Sequence, residues 1–591
     1  MRKHTYADQL VGWLAEEGYT HCFFLAGGNI MHLLDAVRTR MVCVPFVHEV
    51  GAAIATEYFT ALRKEGSGKA FALVTAGPGL TNTITAIASA FTESRELLVI
   101  GGQVKSADLS RGKLRQRGIQ EIDGPALVSS ICKTTLQLDY PIDKVQFLQA
   151  VRHGSEGRKG PVFIEVCLDT QGAEPVPEAN WDLEVQSPAY PKQDDLDSLQ
   201  ELLIASRRPV LLLGGGLNRI ITRQCLEDLT SFGVPIMTTW NGADLIPSDN
   251  EMYFGRPNTW GQRYSNVLIQ QADLVIAIGT RLGVQQTGFS SDQFVPAGRI
   301  VQVDIDEAEL EKGHPRIALA IKGDANLLLQ SLLRMNTSSE DVADWTKFAR
   351  EVKRKLPLNE TTNTTGEEYV SPYVILKELT KVAGVDSIII PCSSGGAFTV
   401  SYQTLEQIGD QRLLSNKSMA SMGYGLSGAI GASLANPDKT TFLIEGDGGF
   451  AQNLQELGTL VANKLAVKIL LFVNNGYASI RMTQRNYFNG AWIGCDTETG
   501  VGFPNWAQLC AAFGVPYARM DHENFSSEEI RKLISSPGPA LIEVPIDPEQ
   551  TYFPKISSKV QSDGSMRSDP LHLMQPPLSE DLAKEVFKYL V

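Results

Sequence analysis

The stretch Thr440–Tyr477, TTFLIEGDGGFAQNLQELGTLVANKLAVKILLFVNNGY, constrains the fold of this chain more than any other. An apolar run, Thr440–Ile444, is closed off by glycines and reads as a buried parallel strand. After Gly446-Asp447-Gly448-Gly449, Leu454, Leu457, Val461 and Leu465 recur at helical spacing, so a helix is expected directly after the turn. A second apolar strand, Val467–Val473, ends in Asn474-Asn475-Gly476. The unit is βαβ, and both polar clusters fall at the carboxyl ends of parallel strands, where open α/β sheets bind ligands.

Glycines at such an edge let the backbone approach a diphosphate, and the following helix points free N–H groups at it. Asp447, Asn474 and one backbone carbonyl make three hard oxygen ligands, which suits an octahedral Mg²⁺ shared with a diphosphate. Taken alone, GDG reads rather as a tight βα turn with a structural aspartate. Asn474 follows Asp447 by 27 residues, and GDG with Asn at that distance resembles the diphosphate-binding motif of thiamine diphosphate (ThDP) enzymes. The resemblance implies that Asp447, Asn474 and the Gly476 carbonyl hold the metal, and that Gly446, Gly448, Gly449 and Tyr477 line the diphosphate.

A chain of 591 residues is too long for one core, and three blocks alternate strand and helix signals. The expected layout is a first block at 1–171, a proline-rich linker at 172–192, a central block at 193–335, a polar linker at 336–369, a third block at 370–550 and a tail at 551–591. The net charge of −14 argues against non-specific nucleic-acid binding. No apolar run reaches membrane-spanning length, and the N-terminal stretch reads as an amphipathic helix without a cleavage site. Eight cysteines without CxxC pairs fit a reducing compartment, so a cytoplasmic protein is expected.

The strand Met41–Val47 ends in His48-Glu49, followed by a small-residue helix. A carboxylate at the end of a buried strand is poorly solvated, which suits proton exchange with a ligand base. Taken alone, Glu49 reads rather as a first-turn acid answering the helix dipole. In ThDP enzymes a glutamate at this place hydrogen-bonds the aminopyrimidine ring and favours the tautomer that removes the C2 proton.

FLAGGNIMHLLDAV (Phe24–Val37), TAGPGLTNTITAIASA (Thr75–Ala90) with GGQV (Gly101–Val104), and SMGYGLSGAIGASLANP (Ser421–Pro437) look like motifs of acetolactate synthase large subunits. That family has pyrimidine-binding, central and diphosphate-binding domains, each a doubly wound parallel α/β sheet. The resemblance implies that Gly27 and Gly28 line the thiazolium side, Pro78 and Asn82 the pyrimidine side, and Gln120 the substrate. It makes Met422 the residue that bends the coenzyme; Ser394, Gly395 and Gly396 are expected in the diphosphate site, although the family's Asp-x-Gly-Gln-His there reads Cys392-Ser393-Ser394-Gly395-Gly396. In the family the glutamate and the GDG aspartate come from different subunits, which implies at least a homodimer and raises a homotetramer. The turn Gly214-Gly215-Gly216, with Gly279, Arg281 and Asp304, resembles the family's FAD positions, where members bind FAD, ADP or nothing.

The resemblance breaks at the substrate. Acetolactate synthases carry an arginine where Gln285 stands in GTRLGVQQTG, and a selectivity tryptophan where Arg485 follows Gln484 in MTQRNYF. A glutamine cannot pair with a carboxylate as a guanidinium fork does. NNGYASIRMTQRNYF and the tail PKISSKVQSDGSMRSDPL look more like acetolactate-synthase-like proteins of lipopolysaccharide sugar pathways. The expected activity is therefore a carboligase that transfers an acetyl unit from pyruvate to a carbonyl acceptor, with a keto sugar as candidate. The rivals are a classical acetolactate synthase, a simple 2-keto acid decarboxylase, and a non-catalytic binding protein of the same fold.

Overall fold

Runs of aliphatic residues build three parallel sheets in the computed structural model, which describes residues 4–177, 189–337, 339–392, 395–521 and 524–590. The first sheet contains β1 (Tyr19–Phe24), β2 (Val42–Pro45), β3 (Lys69–Val74), β4 (Leu97–Gln103), β5 (Thr134–Leu138) and β6 (Pro161–Cys167), in the order β2-β1-β3-β4-β6-β5. The second contains β7 (Pro209–Leu213), β8 (Ile236–Thr238), β9 (Leu274–Ile278), β10 (Arg299–Asp304) and β11 (Leu319–Lys322), in the order β11-β10-β9-β7-β8. The third block supplies β12 (Ile388–Pro391), a two-residue strand β13 (Arg412–Leu413), β14 (Thr441–Gly446), β15 (Val467–Val473), β16 (Tyr517–Arg519) and β17 (Ala540–Pro545). Of these, β12-β14-β15-β17-β16 lie side by side in that order. The crossover order and near-continuous apolar strands are those of doubly wound α/β sheets covered on both faces. β5 and β11 were not anticipated: Thr134–Leu138 is only half-buried, and Leu319–Lys322 is a four-residue edge strand with polar neighbours.

Packing groups these segments into two units rather than three. The first unit gathers Met1–Gln186, Ser387–Ser394 and Ser415–Val544; the second gathers Ser187–Asp386, Gly395–Leu414 and Pro545–Val591. The expected 370–550 block is thus divided between them. The reason within the first unit is a close helix pair. Helix Gly425–Ala435 lies on helix Glu49–Leu62 so tightly that a Cβ on Gly431 would fall 2.1 Å from the Ala55 carbonyl, and one on Gly428 would fall 2.9 Å from the Tyr58 ring. A buried ion pair reinforces the contact: Arg95 donates to Glu57 at 2.8 Å and to the Ser415 carbonyl at 2.5 Å, and the Tyr424 hydroxyl donates to Glu57.

Half of the expected linker at 336–369 is a helix, Ser339–Lys355. Val342, Trp345, Ala349 and Val352 recur at three- and four-residue spacing and are buried, so the stretch is an amphipathic helix despite its polar composition. Trp345 Nε1 also donates to the Pro209 carbonyl at 3.0 Å. Of the linker at 172–192, residues 178–188 lie outside the described residues. The tail forms two short antiparallel ribbons and a helix, Glu580–Val586, and buries Ile556, Leu571, Met574 and Val586 in the second unit's core. No helix among the described residues is long and apolar enough to cross a membrane.

Candidate active site

Asp447 opens a one-turn helix, Asp447–Phe450, at the end of β14 and is almost wholly buried. Its Oδ1 accepts the Gly448 N–H at 2.8 Å, and its Oδ2 accepts the N–H groups of Asn474 at 3.1 Å and Asn475 at 2.7 Å. The carboxylate therefore ties the ends of β14 and β15 together. Burial raises its pKa to about 7, against the pull of those backbone donors and of the Gly476 N–H. Asn474 Oδ1 is buried and has no hydrogen-bond partner. An orphaned amide oxygen next to a carboxylate is the costly feature that a bound cation would relieve. The donor set is all oxygen, and among the described residues no cluster of three His, Cys, Asp or Glu side chains offers an alternative centre. These residues fit a hard cation such as Mg²⁺.

Glycine is required around that set by close approach. A Cβ on Gly448 would fall 2.3 Å from the Tyr477 ring, and one on Gly476 would fall 2.4 Å from the Cys495 carbonyl. By contrast, nothing lies within 4 Å of where a Gly446 Cβ would be, so the strand end is open there. The turn that pins Gly476 was not anticipated from the sequence. Tyr477 N–H donates to the Cys495 carbonyl at 2.7 Å, Gly476 bridges Asp496, and the Asp496 carboxylate closes the turn through Thr499 and an Arg481 contact at 3.5 Å.

Glu49 is the first residue of its helix and only 6% exposed. His48 caps that helix, its Nδ1 accepting the Val50 N–H at 3.2 Å. Asn82 Nδ2 donates to Glu49 Oε2 at 3.0 Å, which brings together two of the residues expected around the coenzyme. Glu456 was missed: it accepts the N–H of His48 at 3.0 Å and that of Val47 at 3.4 Å, joining the segment after the GDGG turn to the Glu49 strand end within one chain. That contact explains why the expected continuous helix is broken into Asp447–Phe450, a 3-10 turn Leu454–Glu456 and Leu457–Ala462. Asn453, at the break, donates to the Gly423 carbonyl at 2.7 Å instead of continuing the helix.

Gly27 packs where a Cβ would fall 2.4 Å from the Thr75 side chain, whereas Gly28 faces open space. Pro78 starts the short helix Pro78–Thr81 that carries Asn82 at its C-cap. Gln120 is exposed and sits at φ 65°, with its carbonyl where a Cβ on Gly77 (φ 63°) would be. Met422 is half-buried, its sulfur accepting from Gln452 Nε2 at 3.6 Å. Gln484 is committed to its own loop: its amide bonds the Ile493 N–H at 3.0 Å and the Ile493 carbonyl at 3.1 Å. Arg485, one residue on, is exposed.

The remaining expected residues lie in the second unit or outside the description. Ser394 lies outside the described residues; Gly395 (φ 53°) and Gly396 open a π-helical turn, Gly396–Val400, packed on Tyr552. Gln285 is half-buried in the turn Val284–Thr287, its carbonyl accepting the Thr259 N–H at 3.0 Å. The glycines of the 214–216 turn are accounted for by protein contacts. Gly214 and Gly216 abut the Gly279 backbone at 2.2 and 2.9 Å from a built Cβ, and Gly215 abuts Asn241 at 3.0 Å. Asp304 Oδ1 accepts the Asp306 N–H at 3.0 Å, and the exposed Arg281 takes a lysine contact on its carbonyl from Lys312. Close loop packing thus explains these glycines without a flavin.

Comparison with known proteins agrees with this geometry. Family models described as "Thiamine pyrophosphate enzyme" match in order: the N-terminal TPP binding domain over residues 4–127, the central domain over 196–332 and the C-terminal TPP binding domain over 394–544. Acetolactate synthase 3, chloroplastic, of Brassica napus is 31% identical over 578 residues, covering 93% of this chain and 85% of the relative. Acetolactate synthase, chloroplastic, of Arabidopsis thaliana is 30% identical with 93% and 83% covered. The acetolactate synthase isozyme 1 large subunit of Escherichia coli (strain K12) is 28% identical over 567 residues, with 94% and 96% covered. Three parallel-sheet domains in the matching order, a GDG–Asn site with an oxygen donor set and identity over most of the chain leave one conclusion: this chain belongs to the acetolactate synthase family of thiamine pyrophosphate enzymes.

Proposed function

We propose that the protein is a ThDP- and Mg²⁺-dependent carboligase that decarboxylates pyruvate and adds the acetyl unit to a carbonyl acceptor, a keto sugar. The observation that carries this reading is the partnerless, buried Asn474 Oδ1 beside Asp447, an arrangement built for a hard cation. Asp447, Asn474 and the Gly476 carbonyl would hold Mg²⁺, and the open face at Gly446 would admit the diphosphate. Bound ThDP would supply the electron sink for loss of CO₂. Glu49 Oε2 is fixed by Asn82, and its Oε1 takes no hydrogen bond from a described residue. Oε1 is therefore the atom that would bond a ring nitrogen of the coenzyme and exchange a proton with it. Gln120, exposed in the first unit, is the group offered to the substrate, and Gln484 contributes through the shape of its loop. Flavin enters none of these steps, and the visible absorbance of the purified protein tests whether it is bound at all.

The relatives' names favour a second reading, acetolactate synthase itself, in which the acceptor is a 2-keto acid. Gln285, in place of a carboxylate-pairing arginine, weighs against it. Incubation with labelled pyruvate and a panel of ketones, aldehydes, 2-keto acids and nucleotide-linked keto sugars, followed by product mass, decides between them. A keto-sugar adduct is expected. Acetolactate as the sole product would favour the second reading, and acetaldehyde alone would identify a simple decarboxylase.

A further inference from the structure

One segment of the first unit runs against the charge of the whole. The chain carries a net charge of −14, yet Ser110–Gln120, SRGKLRQRGIQ, holds Arg111, Lys113, Arg115 and Arg117 and no acid. Arg111 pairs with Asp139 at 2.8 Å. Among the described residues, no carboxylate lies within ion-pair distance of Lys113, Arg115 or Arg117. An open cavity of about 650 Å³ is lined there by Ser106, Leu109, Arg111, Lys113, Leu114 and Arg117.

The loop is held in shape rather than left loose. Glu121 is 4% exposed, and its carboxylate accepts N–H groups from Ser110, from Arg117 at 2.8 Å and from Gly118 at 3.0 Å. Burial would raise the Glu121 pKa, but the backbone donors outweigh it and hold the carboxyl at about 2. The anchored loop leads straight to the site. Gln120 follows the last cation by three residues, its carbonyl packs against Gly77, Pro78 opens the next helix, and Asn82 at its end holds Glu49.

Guanidinium and ammonium groups around an open groove focus a positive field and match phosphate oxygens. Leu109 and Leu114 add an apolar surface on which a sugar or base ring can lie. The volume falls within the range of ligand sites for larger molecules and exceeds what a small keto acid needs. We propose that this groove binds the phosphate or diphosphate of the acceptor, so that the acceptor is a phosphorylated carbonyl compound; this rests on the carboligase reading above.

The test uses enzyme saturated with ThDP and Mg²⁺, so that the diphosphate of the probe cannot enter the coenzyme's own site. Calorimetric titration with uridine diphosphate and with inorganic pyrophosphate should show binding to the wild type that weakens as salt rises. In the double variant Lys113→Glu, Arg117→Glu, affinity for both should fall about tenfold or more, with Tm and ThDP affinity unchanged. The milder Lys113→Gln, Arg117→Gln variant should fall in between, which covers misfolding of the charge-reversed form. Binding of uridine diphosphate without pyrophosphate, equal affinity in wild type and variants, or no binding by the wild type would each overturn the proposal. Release of CO₂ from pyruvate by the wild type tests the carboligase reading separately.

Discussion

At the scale of single residues, the site separates into groups whose removal has distinguishable effects. Glu49→Gln keeps the hydrogen bond to Asn82 within reach but removes the carboxylate, so ThDP affinity should persist while CO₂ release from pyruvate falls by about 10²–10⁴. Near-normal CO₂ release would remove Glu49 from the mechanism. Asn474→Ala deletes an oxygen that satisfies nothing in the protein and leaves the backbone N–H to Asp447 intact. Its Tm without metal should match the wild type, while the Mg²⁺ concentration needed for ThDP binding rises about tenfold or more; unchanged metal dependence would exclude it as a ligand. Glu165 is a buried carboxylate outside the reaction. Burial raises its pKa to about 7 in spite of hydrogen bonds from Gln137, at 2.9 Å, and Gln103. An unfolded glutamate releases its proton near pH ~4.3, so the folded chain binds more protons between there and about 7, and stability falls as pH rises through that window. Glu165→Gln should therefore raise Tm more at about pH 8 than at about pH 5, and an equal rise at both would contradict the assignment.

At the scale of elements, legibility followed periodicity and contact range. The strand Val467–Val473 was readable to the residue because it is a continuous apolar run buried in a parallel sheet. Asp447, Asn474 and Glu49 were readable because strand ends are where polar residues stand out. Long-range contacts were not readable: no local pattern says that Glu456 must reach the amides of Val47 and His48, or that Asn453 must break the helix to reach Gly423. Helix Ser339–Lys355 was hidden by its polar composition, although Val342, Trp345, Ala349 and Val352 carried the signal. Gln484 looked like a substrate group by its neighbours, but its amide is used on the Ile493 backbone. The Cys495–Thr499 turn has a consequence for the metal. It holds Gly476 through backbone bonds from Tyr477 N–H and to Asp496, and the Asp496 carboxylate holds the turn itself through Thr499, so Asp496→Ala should loosen the turn and weaken Mg²⁺ binding while leaving Glu49 and its Asn82 contact in place. Unaltered Mg²⁺ affinity in that variant would make the turn structural only.

At the scale of the molecule, each chain carries both the Glu49 segment and the Asp447 segment in its first unit. Apolar side chains nevertheless remain uncovered near them: Val47 is 51% exposed and Ile119, beside Gln120, is 85% exposed. Uncovered apolar surface around a reaction site is what a second copy would bury, and the family resemblance implies an active site shared between subunits. Mixing the inactive Glu49→Gln and Asp447→Ala proteins should then restore CO₂ release through mixed oligomers; no restoration would assign each site to a single chain. Asp447 and Asn474, at the ends of β14 and β15, would hold the divalent cation on which ThDP binding depends. Titration of the wild-type protein with ThDP, followed by its tryptophan fluorescence in the presence of Mg²⁺ and again after chelation, tests this most directly. Saturable binding that is lost on removing the metal and restored by adding it back is the predicted result; no binding, or binding indifferent to the metal, would contradict the account.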